Sequence, residues 1–167
     1  MRPGLCTVAL AWTVAAWLPS QTLAKPDFSG TWKLDPAESM IAAPPGASGT
    51  ATPTGISAAL LEPIVVKQTA ETLAVTQKPG DDAFTFTYRL DGSTSKLAWP
   101  SGAGQTVEAT AVAKWDNDTL RIATHIPING AVYDNTETWS LARGRLTIEL
   151  VTSRGKQVRV YSAVRTR

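Results

Sequence analysis

Tyr133, Asn135, Glu137 and Trp139 recur at every second position of one extended run, so a β-strand presents all of them on a single face. If that face is inward, Asn135 and Glu137 are buried polar groups that need partners. They are then the side chains best suited to orient a ligand or a trapped water. The opposite face, Val132, Asp134, Thr136 and Thr138, makes a poorer interior. A carboxyl and a phenol inside a cavity are also the groups of a barrel isomerase or lyase, with Glu137 and Tyr133 as the reacting pair. The plainer reading of Glu137 is a solvent-face carboxylate paired with an arginine.

Other chemistry is sparse. His125 is the single histidine, and its alternation with Thr124 and Ile126 puts it on the Thr119, Arg121 and Ala123 face, which reads as solvent-exposed. A lone histidine without cysteine partners does not make a zinc site. No nucleophile-elbow sequence is present, which weakens a hydrolase reading. Asp81-Asp82 and Asp116-Asn117-Asp118 lack the spaced ligands of a calcium loop and serve better as turns. No glycine-rich loop joins a strand to a helix, so nucleotide binding has no support. The sequence therefore assigns no catalytic residue, no metal ligand and no cofactor.

The elements around these residues begin after a leader. Met1–Ala24 has the form of a signal peptide: Arg2, an apolar run Leu5–Leu18, a break at Pro19-Ser20-Gln21, and small residues up to Ala24. The apolar run is shorter than the roughly 20 residues of a membrane span, and no second run follows, so no integral membrane segment is expected once the leader is removed. The expected location is outside the cytoplasm, periplasmic or secreted. Residues 25–167 then form one domain with a real core. The one cysteine, Cys6, lies in the leader, which leaves the mature chain without a disulfide or thiol nucleophile. Net charge is +2, and removal of Arg2 leaves about +1. No basic stripe is interleaved with aromatics, which argues against nucleic acid as a partner. Arg154, Lys156, Arg159, Arg165 and Arg167 are the densest basic group and fit the exposed face of a hairpin.

From Glu62 onward, runs of period two alternate with turn signals. Phe84, Phe86, Tyr88 and Leu90 share one face of a strand. Val107, Ala109, Ala111, Ala113 and Trp115 share a face of another, and Leu120, Ile122, Thr124 and Ile126 of a third. Asp91-Gly92 and Asn129-Gly130 are hairpin turns. A short strand is expected at Ser95–Trp99, ended by Pro100. The reading is all-β: an antiparallel up-and-down barrel of about eight to ten strands, closed because closure hides the sheet edges. A two-sheet sandwich is the main alternative. Between the first strand and Glu62 lies a stretch rich in Pro, Gly and Ala, 35–61, expected to be a flexible loop that serves as a flap or a disordered insert. A helical turn is expected at Pro36–Met40, and Met40, Ile41, Ile56, Leu60 and Leu61 are its candidate docking points.

The segment Asp27-Phe28-Ser29-Gly30-Thr31-Trp32-Lys33-Leu34 resembles the first strand of small exported bacterial proteins with lipocalin-like (calycin-like) barrels, most of unassigned function. Ala113–Leu120 and Thr136–Leu141 are similar to later parts of the same proteins. The resemblance implies that Gly30 and Trp32 form a Gly-x-Trp motif whose indole closes one end of the barrel. It also implies a basic side chain packed over that indole; Arg165, Arg159 and Arg167 are the candidates, and sequence does not choose between them.

Small inward residues facing large ones can leave a cavity in such a barrel. The expected function is binding of a small apolar or amphipathic ligand lined by Phe86, Tyr88, Ala111, Tyr133, Asn135, Glu137 and Trp139. The alternative is a non-enzymatic interaction or structural module of the cell envelope with a filled barrel. Neither the ligand nor the oligomeric state is legible.

Overall fold

The computed structural model describes residues 24–41, 61–78, 83–102 and 105–164. The leader up to Leu23, the central part of the proline-rich stretch and Arg165 fall outside them. Ten strands follow in order: β1 (Gly30–Leu34), β2 (Ile64–Gln68), β3 (Thr72–Gln77), β4 (Phe84–Arg89), β5 (Thr94–Gly102), β6 (Gln105–Asp116), β7 (Thr119–Ile128), β8 (Ala131–Ala142), β9 (Arg145–Thr152) and β10 (Gly155–Ala163). All pair antiparallel in one sheet, ordered β4-β3-β2-β1-β10-β9-β8-β7-β6-β5. β1 pairs with β10, Trp32 opposite Ala163, which joins the two halves of the meander. The sheet thus curls into a nearly closed barrel rather than a sandwich. Its seam lies between β4 and β5.

Period two decides the interior. Along β7, Leu120, Ile122, Thr124 and Ile126 are buried and the residues between them exposed. Directly paired residues share a face, so the pairings Leu120–Trp139, Ile122–Glu137, Thr124–Asn135 and Ile126–Tyr133 turn the second face of β8 inward as well. The same pairing carries inward orientation onward to Ile148 and Leu150 of β9, and then to Gln157, Arg159 and Tyr161 of β10.

The seam is closed without a ladder. Arg89 N donates to Ser95 Oγ at 2.8 Å, and the Phe86 and Trp99 rings stack across the gap at 4.9 Å. β5 runs through Pro100 to Gly102, past the expected end at Trp99. Proline is tolerated there because β5 is an edge strand that owes no hydrogen bond on its outer side, and the register shifts between Pro100 and Gly102. Asn129 (φ 52°) and Gly130 (φ 76°) both adopt the left-handed conformation of a tight hairpin turn.

One end of the barrel is sealed by aromatics. Phe28 is fully buried, stacked on Trp115 at 5.8 Å and edge-on to Trp139 at 5.8 Å. Trp32 Nε1 donates to the Phe28 carbonyl at 2.9 Å, and Gln68 clasps the entering segment by accepting from Phe28 N and donating to Pro26 O. Gly30 sits at φ +145°, and an added Cβ would meet Trp32 Nε1 at 3.4 Å. That separation is ordinary van der Waals contact, so glycine is favoured here by its backbone conformation and not by lack of space. Lys25 lies over an indole here, 5.2 Å from the Trp115 ring, and the expected cations Arg165 and Arg167 lie outside the described residues.

The β1–β2 connection leaves from the other end. Pro36–Glu38 form a turn, after which Met40 rejoins β10 opposite Val158. The docking is made by backbone: Met40 is 69 % exposed, while Ile41 packs on the core. Leu61 is also largely exposed. Arg145 pairs with Glu38 and lies 3.8 Å from Asp35, pinning the turn from outside.

Candidate functional site

The interior carries a polar cluster at mid-depth. Glu137 of β8 stands between Ile122 of β7 and Leu150 of β9, and Gln157 is one strand further in the same row. Glu137 Oε2 accepts from Trp139 Nε1 at 2.8 Å. Arg159 Nη2 donates to Gln157 Oε1 at 3.1 Å, and the guanidinium lies beside the Tyr161 hydroxyl and within the field of Glu137. Arg159 Nε is buried and has no hydrogen-bond partner among the described residues. An unpartnered buried donor on a cation is costly, so it marks a place where something polar fits.

Glu137 is half-buried on the inward face of β8. Its pKa stands above the ordinary carboxylate value: burial raises it, and the Trp139 hydrogen bond and the Arg159 charge offset that only in part. Burial likewise pushes Tyr88 upward, with the Glu137 charge adding to it. Tyr161 is raised chiefly by burial, against the pull of Arg159.

Toward the turn end the interior opens into a cavity of about 330 Å³, lined by Trp99, Ile126, Ile128, Tyr133, Asn135, Gln157 and the Thr152–Arg154 turn. This is at the small end of ligand-pocket volumes. Asn135 and Gln157, which line it, precede Glu137 and Arg159 by two residues on the same faces of β8 and β10.

All seven predicted lining residues face inward, but not into one place. Asn135 and Glu137 stand in the polar cluster, with Tyr88 close enough to feel the Glu137 charge. Tyr133 is at the mouth, 38 % exposed. Phe86 belongs to the seam and Trp139 to the aromatic seal. Ala111 is 1 % exposed, as closely packed as Ala109 and Ala113 at 0 %. The alanine strand is thus closely packed, while the turn-end cavity draws its lining from β5, β7, β8, β9 and β10. Tyr133 and Glu137 are four residues apart on one strand, about 13 Å, beyond the reach needed for a joint acid–base pair.

Arg159, Gln157 and Tyr161 were not singled out for this site from sequence. Arg159 was read as an exposed-face or indole-covering cation. Its spacing of two from Tyr161 was the available signal, since a buried Tyr161 turns Arg159 inward too. His125 lies on the outer face as expected, with Nδ1 2.8 Å from Asp134 Oδ1. Among the described residues no group of three or more His, Cys, Asp or Glu is placed to hold a metal ion, and no helix is long and apolar enough to cross a membrane.

The architecture is that of the calycin, or lipocalin-like, β-barrels. No protein-family model matches the chain, and no curated protein matches its sequence. Solved structures do match its fold. A mutant of the fluorescent protein UnaG superposes with TM-score 0.55 at 16 % identity, over 83 % of this chain and 97 % of that one. REP1-NXSQ, described as a fatty acid transporter, gives 0.58 at 12 % identity, over 83 % and 97 %. Human cRBP IV gives 0.53 at 16 % identity, over 83 % and 99 %.

Proposed function

We propose that this protein is an exported carrier that binds one small amphipathic molecule inside its barrel, without catalysing a reaction. The single observation that carries the reading is the buried Arg159 Nε, unpartnered among the described residues and two residues along β10 from Gln157, which lines the turn-end cavity with Asn135. The polar head of the ligand sits in that cluster. Its apolar part runs along Ile126, Trp99 and Tyr133 to the mouth. The fold shared with a fatty acid transporter supports binding in the barrel. Export is proposed from the Met1–Ala24 leader alone.

The test is fluorescence titration with an uncharged lipophilic dye, Nile red, and an anionic one, anilinonaphthalene sulfonate. Saturable binding at about one site per chain is expected. Arg159→Met weakens the anionic dye by roughly tenfold or more, the loss of a charge-assisted hydrogen bond of about 1.5–3 kcal/mol. Absence of saturable binding of both dyes overturns the proposal.

One observation favours the alternative of a filled interaction module: the close packing of Ala109, Ala111 and Ala113. That reading predicts no dye binding and a partner contact through the exposed rim at Val132 and Tyr133.

A further inference from the structure

The lining of the turn-end cavity changes chemistry from strand to strand. Trp99 on β5 with Ile126 and Ile128 on β7 makes an apolar half; Tyr133 and Asn135 on β8 form the border; Gln157 on β10 stands in the polar half. Polarity is therefore divided across the width of the space and not only along its depth. A flexible chain with one polar end does not match that division. A flat molecule with one apolar edge and one polar edge does. The volume of about 330 Å³ equals that of about eleven waters at ~30 Å³ each, room for a two-ring molecule and too little for a long alkyl chain.

The apolar half holds a fixed ring. One face of the Trp99 indole is stacked on Phe86, with centroids 4.9 Å apart and 24° between the planes. Its remaining surface is a rigid contact for another aromatic, and Tyr133 adds a second ring at the mouth. On the polar side, Gln157 Oε1 accepts from Arg159 Nη2, which leaves its amide NH2 to donate. Asn135 brings a carboxamide with both a donor and an acceptor. Such a group pairs in one plane with a ring edge on which an N–H stands next to a C=O. The second lone pair of that carbonyl is then left for the Gln157 NH2. The one charged residue of the lining, Arg154, lies on the exposed β9–β10 turn, so the cavity itself asks for no charge. Resting on the reading that the barrel takes one small amphipathic ligand, we propose that this ligand is a compact, uncharged, planar heteroaromatic whose edge carries a hydrogen-bond donor beside an acceptor. The rings of Trp99 and Tyr133 take its apolar part, and the amides of Asn135 and Gln157 take its edge.

The experiment is calorimetric titration of the full mature chain, at mildly basic pH, with three uncharged probes. Quinolin-2-one is flat and carries the N–H beside C=O; quinoline is flat and lacks the N–H; octanamide carries the amide on a flexible chain. Quinolin-2-one should bind at one site per chain and roughly tenfold or more tighter than either of the others, as two net hydrogen bonds allow. Asn135→Leu should bring quinolin-2-one down to the affinity of quinoline and leave quinoline nearly unchanged. Octanamide binding as tightly as quinolin-2-one overturns the flat site, and quinoline binding as tightly overturns recognition of the edge. Either result, or no binding of any of the three, leaves the carrier reading intact so long as Nile red or the sulfonate dye still saturates. Failure of the dyes and of all three probes overturns both readings. The ranking of the probes is measured on the native protein, so a poorly folding Asn135→Leu leaves the test complete.

Discussion

Replacing Phe28 by alanine should be among the most damaging single changes in the chain. Its ring is fully buried at the sealed end, stacked at 5.8 Å and 6° on Trp115 and edge-on at 71° to Trp139. A Phe→Ala truncation in a core costs about 3–5 kcal/mol, because the lost contacts are joined by a cavity that rigid neighbours do not fill. Two aromatic contacts of about 0.5–1.5 kcal/mol each are within that total. At ~2–4 °C per kcal/mol for a domain of this size, the midpoint should drop by about 6–20 °C. Guanidinium unfolding followed by tryptophan emission measures the free energy, and near-ultraviolet circular dichroism reports the order of Trp115 and Trp139. Phe28→Leu should lose less, since it keeps most of the volume. A loss below about 1 kcal/mol for Phe28→Ala, an ordinary surface value, with unchanged circular dichroism, would refute the idea that the segment before β1 seals the barrel.

Three further outcomes are expected. Glu137→Gln should be more stable than the native protein at neutral pH: the raised native pKa means that protonated Glu137 stabilises the fold below the ordinary value near 4.5, and that contribution is lost as pH rises through the native pKa, so the two stability–pH curves should converge in acid. Ala111→Leu should cost about 1–3 kcal/mol in denaturant melts, because its 1 % exposed methyl has no space to grow into. Ser95→Ala removes the acceptor of the Arg89 N–H at the seam, and a loss of about 1 kcal/mol with faster amide exchange at Arg89 is expected.

The resemblance at Asp27–Leu34 implied that Trp32 plugs one end under a C-terminal arginine. Trp32 does belong to the seal: its indole is satisfied by the Phe28 carbonyl, and Lys25 lies over Trp115, while Arg165 and Arg167 lie outside the described residues. Neither contact has a sequence spacing that announces it. The segment before β1 is irregular, so no period predicts which side chain it buries.

Periodicity by itself determined most of the architecture. Alternation in Phe84–Leu90, Val107–Trp115 and Leu120–Ile126, with short turns between, dictates antiparallel neighbours and sorts each strand into two faces. It also put Asn135 and Glu137 on the same face as Trp139. Only the tertiary structure decided what those faces enclose. Side-chain period within a strand is local, whereas the distance between β8 and β10 depends on how the sheet curls and where it closes. That curl put Arg159 and Tyr161 on the inward face with Glu137 and packed Ala111 closely.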